Sequence, residues 1–144
     1  MSAELNLAPP VTGILESSLY VASLERAREF YQSLFGFEQL FRDERLCALS
    51  VGDRNVLLLF AKGASDHENT VPGGTIPGHG GDGRLHVAFS IPADALRAWE
   101  ERLAGRDIAV EGRVEAPRGG TSLYIRDPDG HLVEIATPGL WTIY

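Results

Sequence analysis

A single cysteine, Cys47, stands in a chain of 144 residues. No intrachain disulfide can form, which fits a reducing compartment and makes a cytoplasmic location the expectation. Basic residues are also scarce: 13 Lys and Arg stand against 20 Asp and Glu, for a net charge of −7. No basic run or stripe occurs, so the electrostatic footprint of a nucleic-acid binder is missing. No apolar stretch approaches the ~20 residues that a membrane-spanning helix needs, so no membrane partner is expected. The opening, MSAELNLAPP, has neither the basic nor the apolar segment of a secretory signal, and none is expected. What remains has a globular profile, with 44% hydrophobic and 23% charged residues. The length favours one domain with room for a real core.

After an arm ending near Gly13, the stretch GILESSLYV alternates. Leu15, Leu19 and Val21 point one way; Glu16, Ser18 and Tyr20 point the other, as in a strand with one apolar face. SLERAREFYQSLFG follows with helical spacing at Leu24, Ala27, Phe30, Tyr31 and Leu34. Ser23 is its expected N-cap and Gly36 its stop. FEQLFRD, RLCALSV and NVLLLFA read as strands. Residues 62–83 then hold seven of the sixteen glycines, a linker or flap of unusual length for a compact domain. The order now repeats. RLHVAFSI is a strand with Leu85, Val87, Phe89 and Ile91 on one face and His86, Ala88 and Ser90 on the other. PADALRAWEERLAG is a helix with Pro92 near its start, a buried stripe of Leu96, Trp99 and Leu103, and Gly105 as its stop. IAVEGRV, GTSLYIR and HLVEIAT supply three more strands. The chain is therefore βαβββ twice: module one over 13–62, a linker over 63–83, module two over 84–139 and an apolar tail over 140–144. The expected fold is α+β, with the two modules forming a concave, cup-shaped mixed sheet and the helices outside.

Superposing the repeats places Glu16 on His86, an offset of 70, and Leu58 on Glu134, an offset of 76. Glu134 lies in an apolar run, where an ionised carboxylate has to be paired, solvated or bound to a cation. Three of these four equivalent positions carry good metal ligands. Glu16, His86 and Glu134 together offer one imidazole nitrogen and two carboxylates, a set that suits Fe, Mn, Zn, Ni, Co or Mg as divalent ions. Leu58 leaves one side of such an ion open.

On LYVASLERAREFYQSLFGF, LHVAFSI and LYIRDPDGHLVEIATPG the chain resembles the vicinal oxygen chelate superfamily, also called the glyoxalase, bleomycin-resistance and extradiol-dioxygenase superfamily. The resemblance covers roughly 13–139. It implies paired βαβββ modules around a central metal, small substrates with adjacent oxygens, and a homodimer. The family's ligand positions match Glu16, His86 and Glu134; a histidine is common at the first, so Glu16 is a departure. Leu58 cannot supply the fourth ligand usual in glyoxalase I. The extradiol pattern LY..DP.G...E is met by Leu123, Tyr124, Asp127, Pro128, Gly130 and Glu134, but the upstream histidine of those enzymes has no counterpart in VEAPRGGTS. The cationic phosphonate cluster of fosfomycin-resistance enzymes is not found either.

These readings lead to a divalent-metal-dependent enzyme of lyase, isomerase or dioxygenase chemistry, in which the ion is a Lewis acid toward a small vicinal-oxygen substrate. Glu134 is a candidate general base, with Glu16 as the other carboxylate able to serve. Tyr124 is expected to orient a substrate oxygen if its face lines the groove. Tyr20, Leu58 and Arg126 are expected to line the substrate groove, with Arg126 alternatively paired to Asp127 or Asp129. The other reading is a metal-free sequestering protein of the bleomycin-resistance type, its groove lined by Tyr20, Ala88 and Leu58, with Glu16 paired to His86. His67, His79 and His131 are expected on the surface. Phe30, Tyr31 and Trp99 are expected in the core. The tail LWTIY is expected to fold back onto the sheet or onto a partner subunit.

Overall fold

The computed structural model describes residues 7–144. Module one contains β1 (Glu16–Val21), α1 (Leu24–Phe35), β2 (Glu38–Arg42), β3 (Leu46–Val51) and β4 (Asn55–Ala61). A small hairpin, β5 (Asn69–Val71) and β6 (Gly74–Ile76), lies in the glycine-rich segment read as a linker. Module two contains β7 (His86–Ser90), α2 (Leu96–Gly105), β8 (Gly112–Glu115), β9 (Thr121–Arg126) and β10 (Leu132–Ala136). The helix boundaries follow from local chemistry. The Ser23 hydroxyl accepts the Arg26 N–H at 3.2 Å, and Gly36 closes α1 in the left-handed region at φ 72°. Gly105, expected as a stop, is instead the last residue of α2; the chain leaves through Arg106 and reverses at Asp107, φ 55°.

Each module folds its strands into a four-stranded mixed sheet, in the orders β1-β4-β3-β2 and β7-β10-β9-β8. The parallel pairs carry the repeat. Ser18 faces Leu58 across β1 and β4, and Ala88 faces Glu134 across β7 and β10. The sequence offsets of 70 and 76 are thus realised as one register in both sheets. Alternation then divides the strands. Leu19, Val21, Leu57 and Leu59 in one module, and Leu123, Ile125, Val133 and Ile135 in the other, are fully buried in a common core. Glu16, Ser18, Tyr20 and Leu58, and His86, Ala88, Tyr124 and Glu134, occupy the opposite faces.

Helix and turn contacts join the modules. Helix α1 packs on module two: Phe35 lies 4.9 Å from Phe89 and 5.2 Å from Trp99 between ring centroids. Arg102 of α2 donates to the carbonyls of Leu34 and Ser33 at 2.8 and 2.9 Å, covering the exposed C-terminal end of α1. The second contact is the turn between β9 and β10. Asp127 accepts the N–H groups of Asp129 and His131 on one oxygen, and the Tyr31 hydroxyl on the other. Asp129 accepts the Ala22 N–H. The His131 ring accepts the Leu85 N–H at Nδ1 and donates from Nε2 to the Tyr20 carbonyl. His131 is 1% exposed. It is a junction residue rather than the surface histidine expected, because both of its nitrogens answer backbone groups that the meeting of the modules buries.

The tail matches its expectation in part. The Tyr144 hydroxyl reaches the carbonyls of Ile91 and Ala136, whereas Trp141 and Ile143 stay exposed. Of the three expected core aromatics, Tyr31 is fully buried and Phe30 and Trp99 pack partly buried against the core. Among the described residues no helix is long and apolar enough to cross a membrane.

Candidate metal and substrate site

His86 and Glu134 meet on the open face of the second sheet. β7 and β10 run in parallel with Leu132 opposite His86 and Glu134 opposite Ala88, so the two side chains are diagonal neighbours on one face. The His86 Nε2 lies 3.2 Å from Glu134 Oε1. Each group is also held from behind. The His86 Nδ1–H donates to the Leu132 carbonyl at 3.0 Å, and the Ser122 hydroxyl donates to Glu134 Oε2 at 2.6 Å. Glu134 is 8% exposed, whereas half of the His86 side chain meets solvent.

This geometry tests the fit of a divalent ion. With Nδ1–H committed to a carbonyl, the nitrogen left to His86 is Nε2, and it turns a lone pair toward a carboxylate oxygen. Such a contact needs a positive charge between the two atoms, either a proton or a metal ion. Two adjacent ligands of one ion, with bonds of about 2.0–2.2 Å, lie roughly 3 Å apart. The 3.2 Å separation meets that requirement, and the backing hydrogen bonds are of the kind that orient metal ligands. The two residues fit.

Glu16 stands apart from them. It is exposed at the start of β1, on the edge strand of the other sheet, opposite Val56. Among the described residues no three His, Cys, Asp or Glu side chains gather closely enough to hold one ion. A single chain therefore assembles two of the three expected ligands. The metal-free alternative is corrected in one detail as well: His86 pairs with Glu134 and not with Glu16.

The expected substrate residues divide in the same way. Tyr124 is half-buried beside His86, with ring centroids 6.4 Å apart, and shares the face of Glu134. Arg126 does not pair with Asp127 or Asp129. It binds the Glu111 carboxylate and the Gly130 carbonyl, because backbone N–H groups and Tyr31 already occupy Asp127. Leu58 is half-buried on the open face of the first sheet. Tyr20 lies on that face too, stacked on Phe60 at 5.8 Å, with its hydroxyl 2.7 Å from Nδ1 of His79. Of the three histidines expected at the surface, only His67 is exposed; His79 is half-buried against this pair. The roles of His79, His131 and Ser122 were not foreseen. For His131 the signal was present in DPDGH, where a short acidic turn precedes a buried strand; nothing in the sequence marked the other two.

The chain belongs to the Glyoxalase/Bleomycin resistance protein/Dioxygenase superfamily, whose family model matches residues 13–135. It is 31% identical over 129 residues to the metallothiol transferase FosB of Shouchella clausii, covering 88% of this chain and 81% of that one. It is similar to the solved structure of lactoylglutathione lyase from Agrobacterium tumefaciens, with a TM-score of 0.84 and 33% identity over 93% of this chain and 99% of that one. It is also 29% identical over 125 residues to the catechol-2,3-dioxygenase of Bacillus subtilis, spanning 41% of that longer protein.

Proposed function

We propose that the protein is a divalent-metal-dependent enzyme acting on a small substrate with adjacent oxygen atoms, in thiol-linked lyase or transferase chemistry. The observation that carries the reading is the His86–Glu134 pair, held from behind by Leu132 and Ser122. Two of the similar proteins are a metallothiol transferase and a lactoylglutathione lyase; the first name contains a thiol and the second an acylated derivative of the thiol glutathione. They favour this chemistry over ring cleavage, whose characteristic upstream histidine this sequence lacks. We assign the third ligand to Glu16 of a second copy of the chain. Glu16 occupies the position equivalent to His86 on an exposed edge strand, and a twofold axis brings equivalent surfaces together.

An ion held by His86, Glu134 and Glu16 would supply Lewis-acid polarisation of a bound oxygen pair. The chain's residues supply the rest. Ser122 keeps one carboxylate oxygen of Glu134 occupied, so the other faces the site. Tyr124, beside His86, presents a phenol able to donate to a substrate oxygen. Leu58, on the sheet that carries Glu16 and where module two has Glu134, would come with Glu16 from the second copy and give an apolar wall in place of a fourth ligand.

The test is elemental analysis of protein purified without a metal-binding tag, with assays on the methylglyoxal–glutathione hemithioacetal and on fosfomycin with glutathione. About one divalent ion per chain and turnover of one reagent are expected, with both lost in Glu134→Gln. Metal-free protein that binds ligands without turning them over would establish the sequestering alternative, in which His86 and Glu134 satisfy each other.

A further inference from the structure

A cavity of about 210 Å³ opens at the seam between the modules, where the end of α1 and the β3–β4 turn meet β7 and α2. Four aromatic rings form its floor. Phe35 stacks on Phe37 with centroids 5.1 Å apart, and Phe89 stands edge-on to them at 4.9 and 5.2 Å. Trp99 tilts against Phe35 at 5.2 Å. Phe35, Phe37 and Trp99 are only half-buried, and the cavity lies against them.

The rim is polar. The β3–β4 hairpin turns through Gly52 and Asp53, both in the left-handed region at φ 58° and 55°. The Arg54 N–H closes the turn on the Val51 carbonyl at 3.2 Å, which delivers the Arg54 side chain to the cavity. The adjacent carboxylate, Asp53, accepts the Ser50 hydroxyl at 3.2 Å. Among the described residues no carboxylate pairs with the Arg54 guanidinium. A wider cleft of about 440 Å³ adjoins the cavity at Arg54, Asn55 and Ser90. No acidic side chain lines either one, although the chain carries a net charge of −7.

We infer that this cavity binds a small aromatic acid, with one ring and a short arm ending in a carboxylate. The ring meets the four aromatic side chains, whose edges and faces favour an aromatic guest beyond the area it buries. The Arg54 guanidinium takes the carboxylate through parallel N–H groups, and Ser90 brings a hydroxyl donor to the same rim. A void of roughly 150 Å³ accepts benzene. About 210 Å³ therefore holds one ring with its arm. Phe89 points away from the face of β7 that carries His86, so the guest does not touch the proposed ion. Both modules line the cavity, and occupancy stabilises their union.

The test is a fluorine NMR titration of the full chain with para-fluorophenylacetate. The comparators are para-fluorophenethyl alcohol, which has the ring without the charge, and acetate, which has the charge without the ring. Saturable binding of the acid is expected, at least about 10-fold tighter than that of the alcohol, with no displacement by acetate at matched concentration. Arg54 is exposed, so Arg54→Gln should keep the wild-type thermal midpoint. It should bind the acid no better than the alcohol. Phe37→Leu should weaken both ligands by a few fold. In a Trp141→Phe background Trp99 is the sole tryptophan, and the acid should shift its emission. Glu134→Gln should bind the acid as wild type does. Absence of saturable binding, or equal affinity of wild type and Arg54→Gln for the acid, overturns the site. So does a Trp99 emission indifferent to the acid, or loss of binding in Glu134→Gln, which would put the acid on the ion instead.

Discussion

The hydroxyl of Tyr31 donates to a carboxylate oxygen of Asp127 across 2.7 Å of protein interior, joining a helix of module one to a turn of module two 96 residues away. Asp127 is 5% exposed and also accepts two backbone N–H groups of its own turn. Its charge is therefore met by three donors and needs no cation. Asp127→Ala strands all three donors in the interior. The expected loss is about 3 kcal/mol or more, read as a lower urea midpoint. Asp127→Asn keeps part of the acceptor set and should lose less. If Asp127→Ala unfolds at the wild-type midpoint, the turn does not hold the modules together.

The same pair gives the protein an alkaline limit. Burial, reinforced by the negative charge of Asp127, pushes the Tyr31 phenol far above its ordinary 10.0. The native state keeps this proton where the unfolded chain releases it. Its contribution to stability is complete below pH about 10 and is lost as the pH rises beyond that, by about 1.4 kcal/mol per pH unit. Tyr31→Phe should be less stable than wild type at pH 8, by about 1.5–3 kcal/mol for a hydrogen bond to a charged acceptor. Above pH 10 the gap should narrow, because the variant has no such proton to lose. Denaturant titrations at pH 8 and pH 10.5 give both values, and parallel curves would refute the linkage.

The repeat made the architecture legible. Alternation in GILESSLYV and RLHVAFSI fixes which residues face the core, and a buried strand tolerates no one-residue slip. The equivalence of Leu58 and Glu134 could therefore be read from sequence and is met in both ladders. His86 and Glu134 were legible for the same reason, since each is polar on a strand otherwise mostly apolar. What lay hidden was set by contacts between elements remote in sequence. His131 reads as a surface histidine until β1 arrives 111 residues away, with the Tyr20 carbonyl accepting a hydrogen bond from its Nε2–H. His79 sits among glycines that look like slack chain, and only the ring of Tyr20 shows why no side chain fits there. Glu16 was expected beside His86 and Glu134 and instead stands apart from them in the single chain, because strand periodicity fixes the face a side chain takes and not its distance from another sheet.

Ser122 gives a sharper test of the proposed metal site than the proposed ligands do, because removing it leaves every donor atom in place. Its hydroxyl donates to Glu134 Oε2 at 2.6 Å, inside a buried contact. Without it the carboxylate is free to rotate, and the basic oxygen facing His86 is no longer fixed. Ser122→Ala is expected to lower divalent-ion affinity by about 10–100-fold, measured by competition with a chromogenic chelator, with little change in thermal midpoint for the metal-free protein. An unchanged affinity would mean that Glu134 does not bind the ion through Oε1.

Assigning Glu16 to a second copy predicts complementation between two defective chains. Glu16→Gln removes the ligand given to the neighbour, and Glu134→Gln removes one kept at home. Each variant alone should be metal-poor, because every site in its own dimer lacks a carboxylate. After mixing through reversible dissociation, half of the dimers are hybrids. Each hybrid has one site missing both carboxylates and one site with all three ligands intact, so about a quarter of the wild-type metal content should return. Restoration of that size cannot arise if each chain builds its site from its own Glu16, since every site then keeps its defect. Recovery of metal on mixing supports assembly across the interface. Its absence, in a sample shown by mass spectrometry to contain hybrids, would leave Glu16 as an ordinary exposed carboxylate at the edge of β1.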